Sequence, residues 1–349
     1  MSSKKVQTET MEVLAFYNGK GGVGKSTLTP SSAAALKKMF PDLKIGMIAS
    51  DSDQRSLAWA YTPDLENKDL GLWNAIATMV DRRTANDRPR LEEAIRSGVR
   101  KIRVIPDSTG DEGCIEFMGC AGELGKQFSR MPPLTDPSSW RVVGVPLLNT
   151  IRQVLDWDLC ILDLPGSIKD ALVMTLLPCC TSVVIVSDVL KVENLSMEEE
   201  VVGQLRALEV QPTGFLANKV SASKASRGAL DELAEIANRT GVPIVAKVRE
   251  LDTLILGNRA YSGDGVEILP TSQWHLPEGG LHVGLYRMAA DPQKNKKIRA
   301  AAGDAAREIE TAAIALLENC FQEVPALRQQ VEAFRASLAT DEVPAEQLA

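Results

Sequence analysis

Residues 17–28 read YNGKGGVGKSTL. Gly19, Gly24, Lys25 and Ser26 complete the pattern GxxxxGK[ST] of a phosphate-binding loop. Gly19, Gly21, Gly22 and Gly24 let the backbone approach phosphate oxygens without Cβ clashes. Backbone N–H groups, that of Val23 among them, can then point inward, and the following helix adds its positive end. In that pattern Lys25 reaches the β- and γ-phosphates and Ser26 gives its hydroxyl to Mg²⁺. Thr27, one residue further on, is placed for the α-phosphate. The pattern needs one lysine, yet Lys20 follows the first glycine.

The flanks give the loop its setting. Glu12–Tyr17 is an apolar strand, Ser26–Phe40 a helix with Leu28, Ala35, Leu36 and Met39 inward, and Lys44–Ser50 a second strand ending at Asp51. Pro30 is expected in the helix's first turn. This is a βαβ unit, and it repeats. Strands are predicted at 101–105, 158–162, 182–186, 213–217 and 243–246, with helices at 90–97, 146–155, 171–177, 196–208 and 228–240. The alternation predicts an α/β fold: a mostly parallel sheet with helices on both faces, of the P-loop NTPase type, and ligands at the strands' C-terminal edge. Residues 107–141 and 268–292, rich in turn-forming residues, read as insertions in a domain spanning 1–292. Residues 293–349 read as a C-terminal helical extension. Its stripe Ile298, Ala302, Ala305, Ile309, Ala312 and Leu316 fits either packing on the parent domain or a partner contact. A second helix is expected from Pro325.

Composition narrows the function classes. The chain has 349 residues, 44% of them hydrophobic and 24% charged, as in a soluble globular protein. It has no apolar run long enough to span a bilayer and no secretory h-region at its start, so a cytoplasmic protein is expected. Six cysteines form no CxxC pair, which favours reduced core thiols over a metal site. A net charge of −7 excludes a globally basic nucleic-acid surface. Local cationic stretches at 82–103 and 294–299 remain, each either a solvated face or a patch for nucleic acid.

Lys20–Thr27, KGGVGKST, resembles the deviant Walker A box of the ParA/MinD family of P-loop ATPases, closer to ParA than to MinD. The resemblance implies ATP/ADP and Mg²⁺ as cofactors. It also implies a homodimer in the ATP state, in which each Lys20 reaches the phosphates held by the other subunit, as an arginine finger would. DSDQRS, Asp51–Ser56, is similar to the family's first switch, usually DxDPQ. By that match Asp51 lies in the magnesium's outer shell and Asp53 orients the attacking water; the usual proline is missing before Gln54. ILDLPGS, Ile161–Ser167, resembles Walker B and the second switch, making Asp163 a magnesium ligand through water and the Gly166 N–H a γ-phosphate donor. FLANK, Phe215–Lys219, resembles the strand whose asparagine, here Asn218, reads adenine. The expected function is a ParA-type switch with slow Mg-dependent ATP hydrolysis. It would position a plasmid, chromosome or protein organelle on non-specific DNA, triggered by a ParB-like or cargo-adaptor activator, in the cytoplasm near the nucleoid. Lys294, Lys296, Lys297 and Arg299 are the candidate DNA contacts, on charge alone. The alternatives are a MinD-like membrane switch, opposed by the acidic C-terminal end, an iron–sulfur carrier, opposed by the absent CxxC, and a P-loop synthetase.

Overall fold

The computed structural model describes residues 11–50, 71–80, 87–105, 112–119, 137–250 and 296–320, with positions 289 and 332. Eight strands form one sheet: β1 (Glu12–Tyr17), β2 (Ile45–Ala49), β3 (Val99–Arg103), β4 (Cys114–Gly119), β5 (Leu159–Asp163), β6 (Ser182–Asp188), β7 (Gly214–Val220) and β8 (Ile244–Arg249). Their order is β3-β4-β2-β5-β1-β6-β7-β8. Every pair is parallel except the edge pair β3–β4.

The central strands are apolar on both faces, as a covered parallel sheet requires. In β1 and β5, Leu14, Phe16, Leu159 and Ile161 face one side; Val13, Ala15, Tyr17, Cys160 and Leu162 face the other. The first side is covered by α1 (Lys25–Met39) and by the helix Lys296–Cys320. The second side is covered by α2 (Leu72–Val80), α3 (Arg88–Ser97), α4 (Pro137–Leu155), α5 (Ala171–Leu176), α6 (Glu198–Ala207) and α7 (Lys224–Thr240). The Lys296–Cys320 helix is α8. Ala302, Ala305, Ile309, Ala312 and Leu316 are buried against α1 and β8, so within α8 the apolar stripe packs on the parent sheet.

Three local expectations need correction, and one helix goes beyond them. Residues 114–119, assigned from sequence to an insertion, form β4 between β3 and β2. Glu116 breaks its apolar run, but the strand accommodates it because Trp157 Nε1 donates to Glu116 Oε2 at 2.6 Å. The helix expected from Pro146 begins at Pro137, where a first-turn proline is well placed, and carries Pro146 in its interior. Pro30 is likewise inside α1, beyond the first turn, since the helix begins at Lys25 directly after the loop. The helix Leu72–Val80 has no counterpart in the sequence reading.

Candidate nucleotide site

Strand register brings the relevant residues to one edge. Phe16 and Ala49 both pair with Asp163, and Asp188 pairs with Asn218. The C-terminal ends of β1, β2, β5, β6 and β7 therefore meet where β1 runs into Asn18 and the glycine-rich loop. Gly22 (φ 76°) and Gly24 (φ 105°) are left-handed, a conformation that disfavours any Cβ. A Cβ at Gly24 would also lie 2.3 Å from Asn218 Nδ2. The Gly24 carbonyl accepts from Thr27 N at 3.1 Å and Leu28 N at 2.9 Å, starting α1 without a side-chain cap. The first N–H groups of α1 thus face the loop's concavity, the arrangement that favours an anion.

The two lysines of the loop go different ways. Lys25, 8% exposed, donates from Nζ to the carbonyls of Asn18 (3.1 Å) and Lys20 (3.2 Å), so its charge sits inside the ring of the loop. Lys20, half-buried, donates from Nζ to Asn194 Oδ1 at 3.2 Å, on the short 3₁₀ turn Val192–Leu195 that follows β6. The Lys20 side chain thus turns away from the ring that holds Lys25.

Side chains that the motifs did not name hold the loop in place. Asn18, 1% exposed, donates from Nδ2 to Val186 O (2.8 Å) and to both carboxylate oxygens of Glu198 (3.1 Å each), and its Oδ1 accepts the Lys20 N–H at 2.7 Å. Burial pushes the Glu198 carboxyl up to about 7; the Asn18 hydrogen bond and the nearby Lys20 charge pull the other way. On the far flank, Lys219 donates from Nζ to Gly22 O (2.9 Å) and to Asp188 Oδ2 (2.7 Å), while Asp188 Oδ1 accepts Leu190 N (3.1 Å). Lys219 has φ 61°, strained for a residue with a Cβ, where the β7–β8 register shifts between Ala217 and Val220. Asn18 borders the glycine-rich motif and Lys219 closes the FLANK stretch, so their place beside the named residues was a usable signal. Asp188, Asn194 and Glu198 carry none, because only the fold brings them there.

Two oxygen donors suit a hard cation. Asp163, 1% exposed at the end of β5, has its main-chain carbonyl gripped by Ser50 N (3.0 Å) and Ser50 Oγ (2.9 Å). Ser26 presents its half-buried hydroxyl in the first turn of α1. A carboxylate and a hydroxyl leave the other positions to water and phosphate, as Mg²⁺ prefers. Gly166 abuts the loop entrance: a Cβ there would come within 3.4 Å of the Gly19 carbonyl.

The profile described as CbiA, the CobQ/CobB/MinD/ParA nucleotide binding domain, matches residues 14–258, well over half of the chain. The chain belongs to this ParA/MinD family. Among curated proteins none matches it by sequence. Solved structures with the same fold include an ATP complex of a Cyanothece McdA variant, 16% identical, with a TM-score of 0.54 over 88% of this chain and 96% of that one. The MinC:MinD cell-division complex of Aquifex aeolicus is 17% identical, with a TM-score of 0.53 over 90% and 97%. MinD of Pyrococcus horikoshii with Mg-ADP is 14% identical, with a TM-score of 0.51 over 90% and 100%.

Among the sequence-derived site residues, the fold brings Gly19 to Thr27, Asp163, Gly166 and Asn218 to this family's sheet edge. Asn218 uses its amide nitrogen on Val23 O at 2.7 Å, holding the loop. Asp51, Asp53 and Lys294 lie outside the described residues. Lys296 and Lys297 are exposed and Arg299 is half-buried. Glu308 of α8 binds Arg249 at the end of β8, and Cys320 O accepts Ser182 Oγ at the start of β6. The helix therefore runs antiparallel to the strands. At 1.5 Å per residue, Lys296 lies about 18 Å beyond Glu308 along the axis, past the ligand edge. No described helix is long and apolar enough to cross a membrane.

Proposed function

We propose that the protein is a Mg-dependent ATPase that works as a nucleotide-gated dimerisation switch. The observation that carries this is the contrast between the two loop lysines: Lys25 is turned into the cradle, Lys20 out of it onto Asn194. In this reading Lys25, the α1 N-terminus and the N–H groups of Gly21 to Thr27 hold the phosphates. Ser26, Asp163 and Asp51 would hold Mg²⁺, which when bound would screen phosphate charge, and Asp53 would orient the water that attacks. Lys20 leaves Asn194 and meets the phosphates of a second copy, adding positive charge where it develops in the transition state. ATP then stabilises the dimer, and hydrolysis removes that support.

Positioning of a cargo on non-specific DNA is the assignment we favour within this class. Its support is the pair of exposed cations Lys296 and Lys297 carried past the nucleotide edge, with Lys294 and Arg299 beside them in sequence. DNA held by such cations dissociates steeply with salt. A ParB-like or adaptor protein would accelerate hydrolysis. The test is molar mass, DNA binding and phosphate release with ADP, ATP and a non-hydrolysed analogue over a salt series. Dimers and DNA binding in the ATP-like states alone support the reading; DNA binding indifferent to nucleotide refutes it. Lys25→Ala is expected to lose nucleotide binding, and Lys20→Ala only hydrolysis.

A further inference from the structure

We propose that Glu198 is a positioning residue for Lys20, acting through Asn18. The inference rests on the reading of Lys20 as the lysine that completes another subunit's site.

Asn18 is surrounded in a way that leaves its amide one orientation. The Val186 carbonyl and the two Glu198 oxygens accept hydrogen bonds, so the NH₂ end must face them. The Oδ1 end must then face the loop, where it accepts the Lys20 N–H. That bond fixes the backbone at Lys20, and the Lys20 carbonyl accepts from Lys25 Nζ. One carboxylate, 2% exposed and 180 residues away in sequence, thus sets the peptide units that aim both lysines. The side chain of Lys20 is held by the same segment, since Asn194 lies four residues before Glu198, in the 3₁₀ turn that leads into α6. Remove the carboxylate and only the Val186 carbonyl still opposes a turn of Asn18 that would present NH₂ to the Lys20 N–H and release it.

The Met197 and Val192 side chains, 42% and 43% exposed, bracket this latch at the surface.

The experiment compares Glu198→Gln, Glu198→Ala, Lys20→Ala and Glu198→Ala/Lys20→Ala for kcat, KM for ATP and Kd for a fluorescent ADP. Gln keeps an acceptor oxygen for Asn18, so about half or more of kcat is expected to survive in Glu198→Gln, with about a tenfold loss in Glu198→Ala. The ADP Kd should move less than kcat. In the Lys20→Ala background, Glu198→Ala should cost nothing more. Wild-type kcat in Glu198→Ala overturns the proposal. So does a loss that multiplies with that of Lys20→Ala, the mark of a general structural role. Should Glu198→Ala not fold, a Glu198→Gln as inactive as Lys20→Ala overturns it too. Wild-type hydrolysis by Lys20→Ala itself refutes the underlying reading, which separates that failure from this one.

Discussion

Lys219→Met removes an ammonium that binds both Asp188 Oδ2 and the Gly22 carbonyl, and keeps most of its stem. The ion pair is neither surface nor core, with side chains 27% and 12% exposed. Exposed pairs contribute up to about 1 kcal/mol, and breaking buried ones costs about 3–5 kcal/mol. About 2 kcal/mol is the expected loss from the pair, and about 1 kcal/mol from the Gly22 carbonyl. The Gly22 contribution should appear in nucleotide affinity, because it shapes the cradle: a Kd for ADP about fivefold weaker. Strain gives an internal check. Lys219 holds φ 61°, which costs an L-residue about 1–2 kcal/mol, so Lys219→Gly should be more stable than Lys219→Met by about 1 kcal/mol despite lacking any side chain. Denaturant unfolding and ADP titration measure both. An Asp188→Asn/Lys219→Met cycle should return a coupling of about 1–2 kcal/mol. A Lys219→Met variant within about 0.5 kcal/mol of wild type, with unchanged ADP affinity, would show that this clamp does not shape the loop.

Gly24→Ala combines a left-handed φ of 105° with a 2.3 Å approach to Asn218 Nδ2, so the Asn218–Val23 hydrogen bond must break; ADP affinity should fall more than about tenfold, and calorimetric titration would detect its persistence. Gly46→Ala would put a Cβ 2.0 Å from Trp157 Cε3, away from the ligand edge, so about 1–3 kcal/mol of stability should be lost in thermal melts with ADP affinity within about twofold of wild type. Burial raises the Glu198 carboxyl from 4.5 to about 7, so its contribution to stability is fully present below the unfolded value and lost as pH rises through about 7. Glu198→Gln has no such loss, so its stability relative to wild type should grow by about 3 kcal/mol between pH 4.5 and 8, as denaturant melts at several pH values would record.

The loop, the helix behind it and the strands that carry Asp163 and Asn218 could be read from sequence because each is continuous in the chain and strongly patterned. Period and turn residues suffice for such segments. Strand β4 escaped because it is six residues long, carries Glu116 at its centre and lies in a stretch dominated by turn formers. Its polar residue is tolerated only because Trp157, 41 positions away, supplies a donor. The supports of the loop were hidden for the same reason: the hydrogen bonds from Asn18 to Glu198 and from Lys219 to Gly22 close separations of 180 and 197 residues. The pattern of the loop sets Lys20 apart as a second lysine, but nothing local could say that Asn194 would receive it.

The claim on which the account turns is that Lys20 serves a second copy. Lys20→Ala keeps a cradle for ATP but lacks the donated charge; Lys25→Ala has lost the cradle but still carries Lys20. Mixing the two, with differently labelled subunits to report association, tests the claim directly. Phosphate release well above the sum of the separate variants, rising with the population of mixed dimers, is the predicted result. Mixed dimers that form in ATP and hydrolyse no faster than Lys20→Ala alone would contradict it.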